Sequence, residues 1–226
     1  MTERKIETYT FFSVPVTVMN FGEEADELNE RLVKDALTEK SLNASASRSA
    51  INGWQSEGGM ENKYQSFFEL RGYIRQTIEA TLPSLGFTIT NFEDYFKCNE
   101  LWANILEKPG AFHIPHMHGT GETLFAGVYY PEDYLTDNDA KSDIRATSIP
   151  EPGDLMLFDP AANEKRAVIP QDIVNRYPYY GSEVCIRPRK GNLVIFPSYL
   201  THMVAPLYGD NLPERRMSIS FSYSKK

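Results

Sequence analysis

Cysteine is scarce in this sequence of 226 residues, in which only Cys98 and Cys185 occur. Two thiols are too few for a disulfide scaffold, and these two lack the close spacing of metal-binding cysteines. We therefore expect two reduced, structural thiols, which are typical of a cytoplasmic protein.

Long apolar runs and basic clusters are also missing. No stretch approaches the roughly 20 apolar residues that a membrane helix requires, and the first residues do not predict a signal peptide because Pro15 interrupts their short apolar stretch. The 23 basic and 31 acidic side chains give a net charge of −8 without a basic tract, which makes nucleic acid an unfavourable partner. We expect no membrane partner and a small-molecule or protein substrate, with nucleic acid disfavoured but not excluded.

Aromatic residues, in contrast, are plentiful. The chain contains 13 Tyr, 13 Phe and 2 Trp, a composition that favours β-strands. Hydrophobic residues at 41% and charged residues at 24% are typical of a globular protein. We predict a single domain over residues 1–226, in which residues 1–86 supply a strand and helices and residues 87–226 form a β core.

The N-terminal part combines one strand with two helices. Residues 8–19 are rich in β-branched and aromatic side chains and predict a strand, and Pro15 favours an edge position or a bulge. Apolar residues at three- and four-residue intervals predict helices over residues 23–40 and 64–82. The intervening segment 41–62 is too long for a simple connector, so we expect it to be functional or mobile.

The remaining sequence consists of short alternating apolar and polar segments separated by Pro, Gly, Asp and Asn. About eight strands at this spacing predict a mainly β sandwich, barrel or jelly roll, supported by the two helices. The candidate strands are 97–106, 123–130, 154–159, 165–169, 183–187, 192–197, 201–206 and 215–223.

Histidine is concentrated at one place. Three of the four histidines lie within six residues, as His113, His116 and His118, and His202 is the fourth. Residues two apart on a strand point to the same face, so His116 and His118 could chelate one metal ion. A histidine cluster without a metal is the alternative at this point.

The last strand offers a site for a carboxylate. Arg216 and Ser218 share one face of it, and a guanidinium beside a hydroxyl can bind a carboxylate through a bidentate ion pair and one hydrogen bond. The alternative is that Arg215 and Arg216 are solvated charges at the end of a strand.

The order H-x-H, a distal His and then Arg-x-Ser resembles the iron(II)- and 2-oxoglutarate-dependent dioxygenases, whose fold is a double-stranded β-helix, or jelly roll. More narrowly, the chain resembles a bacterial and phage branch of these oxygenases, in family order from about residue 48 to the C-terminus. The matching pieces are NGWQS (52–56), LWANI (101–105), H-M-H (116–118), AGVYY (126–130), GDLMLFDP (153–160), GNLVIFPSYLTH (191–202) and ERRMSISF (214–221).

This resemblance implies Fe(II) bound by His116, His118 and His202, with 2-oxoglutarate anchored on Arg216 and Ser218. The wider superfamily carries two histidines and one carboxylate, whereas here His118 stands in the carboxylate position. The resembling branch carries H-x-H itself, usually followed by Pro where this chain has Gly119. If His118 is not a ligand, Glu122 is the nearest carboxylate.

Further roles are predicted for residues near these motifs. Asn104 matches a position from which relatives often contact 2-oxoglutarate, and Tyr129 could offer a phenol to the same molecule or belong to the core. We expect His113 to support a metal ligand or to contact substrate. Trp54 either forms part of a substrate platform or pins the 41–62 segment to the barrel.

Three functions remain open at this point. The first is a 2-oxoglutarate-dependent dioxygenase that hydroxylates a C–H bond and releases succinate and CO₂. The second is a cupin-like dioxygenase with three histidines and no 2-oxoglutarate, in which Arg216 would bind a substrate carboxylate. The third is a non-catalytic jelly roll that binds a metal or another ligand.

Overall fold

Two antiparallel six-stranded sheets form the body of the molecule in a computed structural model, which describes residues 13–46, 48–119, 121–134, 143–147, 149–168, 170, 181–209 and 213–226. The first sheet has the order β1 (Thr17–Asn20), β10 (Asn192–Pro197), β6 (Thr123–Tyr129), β12 (Arg216–Lys225), β4 (Phe96–Leu106) and β3 (Gly53–Gln55). The second has the order β2 (Ala50–Ile51), β5 (Phe112–His116), β11 (His202–Val204), β8 (Leu155–Phe158), β9 (Glu183–Ile186) and β7 (Ile144–Ala146).

Two long helices cover the first sheet. They are α1 (Asp26–Leu42) and α2 (Gln65–Thr81); the shorter helices are α3 (Phe92–Tyr95) and α4 (Ala162–Val168). Leu28, Leu32 and Ala36 of α1 recur every fourth residue and therefore form one apolar stripe, which packs with α2 and with the outer face of the sheet. The predicted jelly roll with two supporting helices is confirmed.

Alternation along the strands of the first sheet separates two apolar layers. On β6, Phe125 and Tyr129 face the helices, whereas Ala126 and Val128 face the second sheet. On β12, Met217 and Ile219 belong to the helix layer. Because successive side chains on a strand point to opposite faces, Arg216, Ser218 and Ser220 must point between the two sheets.

Most predicted elements agree with the structure, and one is wrong. Residues 165–169 were expected to form a strand, but α4 covers Ala162–Val168, and residue 169 lies outside the described residues. The sequence of α4, ANEKRAV, is rich in helix-forming residues. Just before the helix, the Asp159 side chain accepts a hydrogen bond from the Ala161 N–H at 2.9 Å. This local turn and the helix-forming composition outweigh the apolar residues that suggested a strand.

The predicted N-terminal strand and the 41–62 segment both contribute strands to the sheets. The described part of the predicted 8–19 strand contributes β1, an edge strand as Pro15 indicated; residues 1–12 lie outside the described residues. The 41–62 segment contains β2 and β3, which pair with β5 and β4 respectively. The strands of this segment therefore belong to the two sheets.

No helix in the described part of the chain is long and apolar enough to cross a membrane.

The helix layer generates a prediction about stability. Phe67 on α2 is fully buried, whereas its neighbour Phe68 is 48% exposed. Truncating a buried Phe costs about 3–5 kcal/mol, so Phe67→Ala should lower the free energy of unfolding in urea by that amount. Phe68→Ala is the matched control and should cost less than about 1 kcal/mol. Equal losses would show that the helix layer does not carry the stability of the fold.

Candidate metal centre and adjoining cavity

Three histidines meet where β5 ends and β11 begins. His116 and His202 are register partners in the antiparallel pair of these strands. His118 lies two residues beyond the end of β5, where its backbone N–H donates to the carbonyl oxygen of Ser198 at 2.9 Å. The H-x-H pair is therefore not contained in one strand, yet both side chains reach the same point as His202.

The spacing of the three imidazoles suits one metal ion. One ligand atom from each of His116, His118 and His202 lies within 4.8 Å of the other two. The Nδ1 atoms of His116 and His202 lie 2.7 Å and 2.9 Å from the backbone carbonyl oxygens of Ile114 and Leu200. A carbonyl can only accept, so Nδ1 carries the proton and each Nε2 lone pair is free for a metal.

The three imidazoles are also neutral, as metal ligands must be. Burial lowers the pKa of His118 to about 4 and that of His202 to about 3, and in both cases the neighbouring His116 lowers the pKa further. Burial lowers the pKa of His116 as well, although its hydrogen bond to the Ile114 carbonyl acts in the opposite direction. Metal binding therefore competes with few protons near neutral pH.

The donor set contains no carboxylate. Glu122, the alternative third ligand, is exposed and does not belong to the metal-binding group found among the described residues. Imidazole nitrogens are suitable ligands for divalent ions of the first-row transition metals, including iron(II). Because all three are neutral, a bound divalent ion would keep its full charge and attract an anion.

A cavity of about 310 Å³ adjoins the three histidines. It lies between the two sheets, and apolar side chains from both sheets, Val128, Leu155 and Phe196, form part of its wall. Glu100 is the one carboxylate among the described lining residues, and it forms an ion pair with Arg48 at 3.1 Å. The polar groups deeper in the wall are His113, Arg216, Ser218 and Ser220.

Arg216 is the dominant charge in this cavity. Its side chain is fully buried, its Nε donates to the Gly153 carbonyl oxygen at 2.7 Å, and Nη1 donates to the Ser218 hydroxyl at 3.1 Å. The remaining Nη2 lies 3.4 Å from the Tyr130 hydroxyl. No ion pair to Arg216 occurs among the described residues. The Asp154 carboxylate favours the charge of Arg216 from a longer distance, but it pairs with Arg145, so the Arg216 guanidinium could still pair with an anionic ligand in the cavity.

The two arginines of the final strand have different environments, as the alternation predicted. Arg215 is the residue just before β12 and makes a two-point ion pair with Glu132, with both contacts at 2.9 Å. Arg216 and Ser218 come together in the cavity wall. The alternative of two solvated arginines is therefore wrong for Arg216.

The structure corrects the expectation for Tyr129. Its ring lies in the helix layer, and its hydroxyl donates to the Asn29 Oδ1 atom at 2.6 Å. Tyr129 is therefore not in contact with the cavity, and the next residue, Tyr130, faces Arg216 instead. Because successive side chains on a strand point to opposite faces, an assignment that is wrong by one residue places the side chain on the wrong face of the sheet.

Asn104 lies behind the cavity wall. It accepts a hydrogen bond from Gln55 Nε2 at 2.8 Å and donates to the Ser220 hydroxyl at 3.0 Å. It is fully buried and is absent from the cavity lining. Its position supports the residues that line the cavity and does not match the predicted direct contact.

Two residues of the 41–62 segment have separate roles. Trp54 is 7% exposed and packs in the helix layer, where its indole N–H donates to the Asn43 carbonyl oxygen at 3.0 Å. Trp54 thus pins the segment to the barrel. Gln55 lies on the opposite side of β3 and lines the cavity beside Ser49 and His113.

Gly153 belongs to the candidate site, although the sequence pattern alone does not indicate it. Its φ of +77° is in the left-handed region that favours glycine, and an added Cβ would lie 2.8 Å from the Tyr134 ring and 3.1 Å from Arg216 Cδ. The signal was the Pro-Gly-Asp turn before β8, but its contact with Arg216 depends on the tertiary structure.

A family model described as Putative 2OG-Fe(II) oxygenase matches residues 100–222 of the chain. This range contains the three histidines, Arg216 and Ser218. A comparison with curated proteins finds no match.

Several solved structures share the fold. A prolyl-4-hydroxylase from Pseudomonas putida is 15% identical with a TM-score of 0.61, over 95% of this chain and 94% of that chain. The viral collagen prolyl hydroxylase of Paramecium Bursaria Chlorella virus-1, in a 2OG complex, is 12% identical with a TM-score of 0.55, over 92% and 96% of the two chains. HygX from Streptomyces hygroscopicus, with nickel and 2-oxoglutarate bound, is 12% identical with a TM-score of 0.54, over 93% and 83%.

The geometry predicts which side chains bind iron. His116→Ala, His118→Ala and His202→Ala should each abolish stoichiometric Fe²⁺ binding in an anaerobic titration, and far-UV circular dichroism should show an intact fold. Glu122→Gln is the control and should bind iron like the wild type. Full iron affinity in His118→Ala together with a loss in Glu122→Gln would make Glu122 the third ligand.

Proposed function

Because the chain belongs to the 2OG-Fe(II) oxygenase family, we propose that His116, His118 and His202 hold its iron(II) and that Arg216 anchors its 2-oxoglutarate. Membership of this family makes the chain an oxidoreductase that depends on iron(II) and 2-oxoglutarate. It also excludes the two other functions that the sequence left open, which were a three-histidine dioxygenase without 2-oxoglutarate and a non-catalytic jelly roll.

One observation carries the assignment of the site. A fully buried guanidinium without an ion-pair partner in the described structure shares a 310 Å³ cavity with three neutral imidazoles. A bound Fe²⁺ and Arg216 would place three positive charges in a cavity whose one described carboxylate is already paired. A dianion with a carboxylate at each end, such as 2-oxoglutarate, matches this distribution of charge.

When bound, the two cofactors supply the chemistry, in which O₂ converts 2-oxoglutarate to succinate and CO₂ and one oxygen atom is inserted into a substrate C–H bond. The side chains of this protein bind and orient. Arg216 and Ser218 hold one carboxylate of 2-oxoglutarate, and the three imidazoles hold the metal. The apolar side chains of Val128, Leu155 and Phe196 keep water out of their part of the cavity.

The substrate and its location are further parts of the proposal. We propose a small-molecule or protein substrate and an activity in the cytoplasm. The net charge of −8 disfavours nucleic acid, and the free thiols of Cys98 and Cys185 suit a reducing compartment. Succinate release from 2-oxoglutarate with the iron-loaded protein, measured against candidate substrates, tests the activity.

Removal of the Arg216 guanidinium should selectively weaken co-substrate binding. Losing a buried, charge-assisted contact costs about 2–4 kcal/mol, so Arg216→Ala should weaken 2-oxoglutarate binding by roughly 30- to 1000-fold. Arg216→Lys should recover part of the affinity because an ammonium lacks the planar fork, and Ser218→Ala should cost about 1 kcal/mol. The measurement is an anaerobic titration of the iron-loaded protein, monitored by the visible absorption of iron-chelated 2-oxoglutarate.

Arg215→Ala is the matched control because Arg215 pairs with Glu132 away from the cavity. It should bind 2-oxoglutarate like the wild type, and iron binding should survive in all four variants. If neither arginine affected 2-oxoglutarate binding, the assignment of the anchor would fail.

Gly153 should be sensitive because it supports Arg216. Gly153→Ala brings a methyl group against Arg216 Cδ and the Tyr134 ring, so 2-oxoglutarate affinity should fall by about tenfold or more, equivalent to about 1.4 kcal/mol. Gly110 has the same φ of +77° but no described atom within 4 Å of an added Cβ. Gly110→Ala should therefore lose about 1–2 kcal/mol of stability in thermal unfolding and no co-substrate affinity.

A further inference from the structure

His113 is a buried histidine outside the metal-binding group. It is 5% exposed and lines the same cavity as Arg216 and Ser218. Its Nδ1 atom lies 3.2 Å from the Ser49 hydroxyl, whereas its Nε2 atom is buried and has no hydrogen-bond partner within the described structure. A buried polar atom without a partner is costly, and this one belongs to a residue in the wall of the cavity that contains Arg216.

The surrounding hydrogen bonds indicate where the proton of His113 lies. The backbone N–H groups of Ser49 and Ala50 both donate to Gln55 Oε1 at 2.9 Å, which fixes the orientation of the amide. Gln55 Nε2 must then donate, to Asn104 Oδ1 at 2.8 Å and to the Ser49 hydroxyl at 3.3 Å.

Ser49 has one proton of its own to give. Its hydroxyl oxygen accepts from Gln55, and the nearest described acceptor for its proton is His113 Nδ1. With Nδ1 as an acceptor, the neutral imidazole carries its proton on Nε2. Burial and the positive charge of Arg216 both lower the pKa of His113, which agrees with a neutral ring. Nε2–H is therefore a hydrogen-bond donor.

The position of His113 favours the anchor end of the cavity. His116 pairs with His202 in the strand register, whereas His113 pairs with Val204, further along β11 from the metal-binding residues. The chain of contacts from His113 continues through Ser49, Gln55 and Asn104, and Asn104 Nδ2 then donates to the Ser218 backbone carbonyl at 3.4 Å. Ser218 in turn contacts Arg216. His113 and Arg216 are thus the two ends of one hydrogen-bonded arc.

We propose that His113 is a co-substrate-binding residue, whose Nε2–H donates to the carboxylate that Arg216 anchors. The inference rests on the proposed function and extends it, because Ser49 and Gln55 become positioning residues that set the tautomer of His113. Binding of the distal carboxylate would then satisfy both the buried guanidinium and the buried imidazole. This arrangement selects a 2-oxo acid with a second carboxylate over one with an apolar end.

The test is co-substrate affinity in variants of His113. His113→Phe keeps a ring of similar size without a donor and should weaken 2-oxoglutarate binding about 10- to 100-fold, the loss of one hydrogen bond to a charged group. Anaerobic titration of the iron-loaded protein measures this affinity, and the iron affinity itself should not change. His113→Gln offers an amide N–H near the place of Nε2 and should restore most of the affinity. Ser49→Ala removes the hydrogen bond that sets the tautomer of His113, and it should weaken 2-oxoglutarate binding less than His113→Phe does.

A truncated co-substrate identifies the end that His113 contacts. In 2-oxopentanoate a methyl group replaces the distal carboxylate, so its affinity should be nearly the same for the wild type and for His113→Phe. Equal weakening of 2-oxoglutarate and 2-oxopentanoate would overturn the proposal, as would unchanged 2-oxoglutarate affinity in His113→Phe and His113→Ala. Loss of iron binding in these variants would also overturn it and would make His113 a metal ligand. Failure of the wild type to bind 2-oxoglutarate would instead refute the proposed function.

Discussion

The buried guanidinium of Arg216 is the constraint on which the site depends. A cation taken out of water needs hydrogen bonds for its protons and a negative charge nearby. The protein supplies the hydrogen bonds through the Gly153 carbonyl, Ser218 and Tyr130, and among its described residues it supplies no ion pair. A bound anion would supply such a charge, which is the role proposed for the distal carboxylate of 2-oxoglutarate.

The two sheets make this arrangement possible by dividing their side chains between two layers. Strands β6 and β12 place large apolar side chains such as Tyr129 and Phe221 under the helices and leave their other face for the cavity. The helix layer therefore carries much of the apolar burial, and the space between the sheets can hold polar groups. Stability and binding are built on opposite faces of the same strands.

Segments far apart in the sequence meet in the hydrogen-bond network that links His113 with Ser218. The 41–62 segment brings Ser49 and Gln55 against His113 and Asn104, so residues from β3, β4 and β5 share one hydrogen-bond network. Carbonyl groups orient His116 and His202 in a similar way. In both cases neutral neighbours fix the position of a proton, so these imidazoles add no charge to a cavity whose charged lining residues are Arg48, Glu100 and Arg216.

The sequence by itself determined the strand alternation, the two helices and the shared face of Arg216 and Ser218, and its resemblance to a family predicted that His116, His118 and His202 converge. These follow from local periodicity and from the order of motifs, which a single sequence displays. Tertiary structure alone decided that Tyr130 and not Tyr129 meets Arg216, that Asn104 stands behind the wall, and that Gly153 and Gln55 belong to the site. The physical reason is that periodicity separates the two faces of a strand but does not say which face meets the other sheet, or which distant backbone group completes a buried charge.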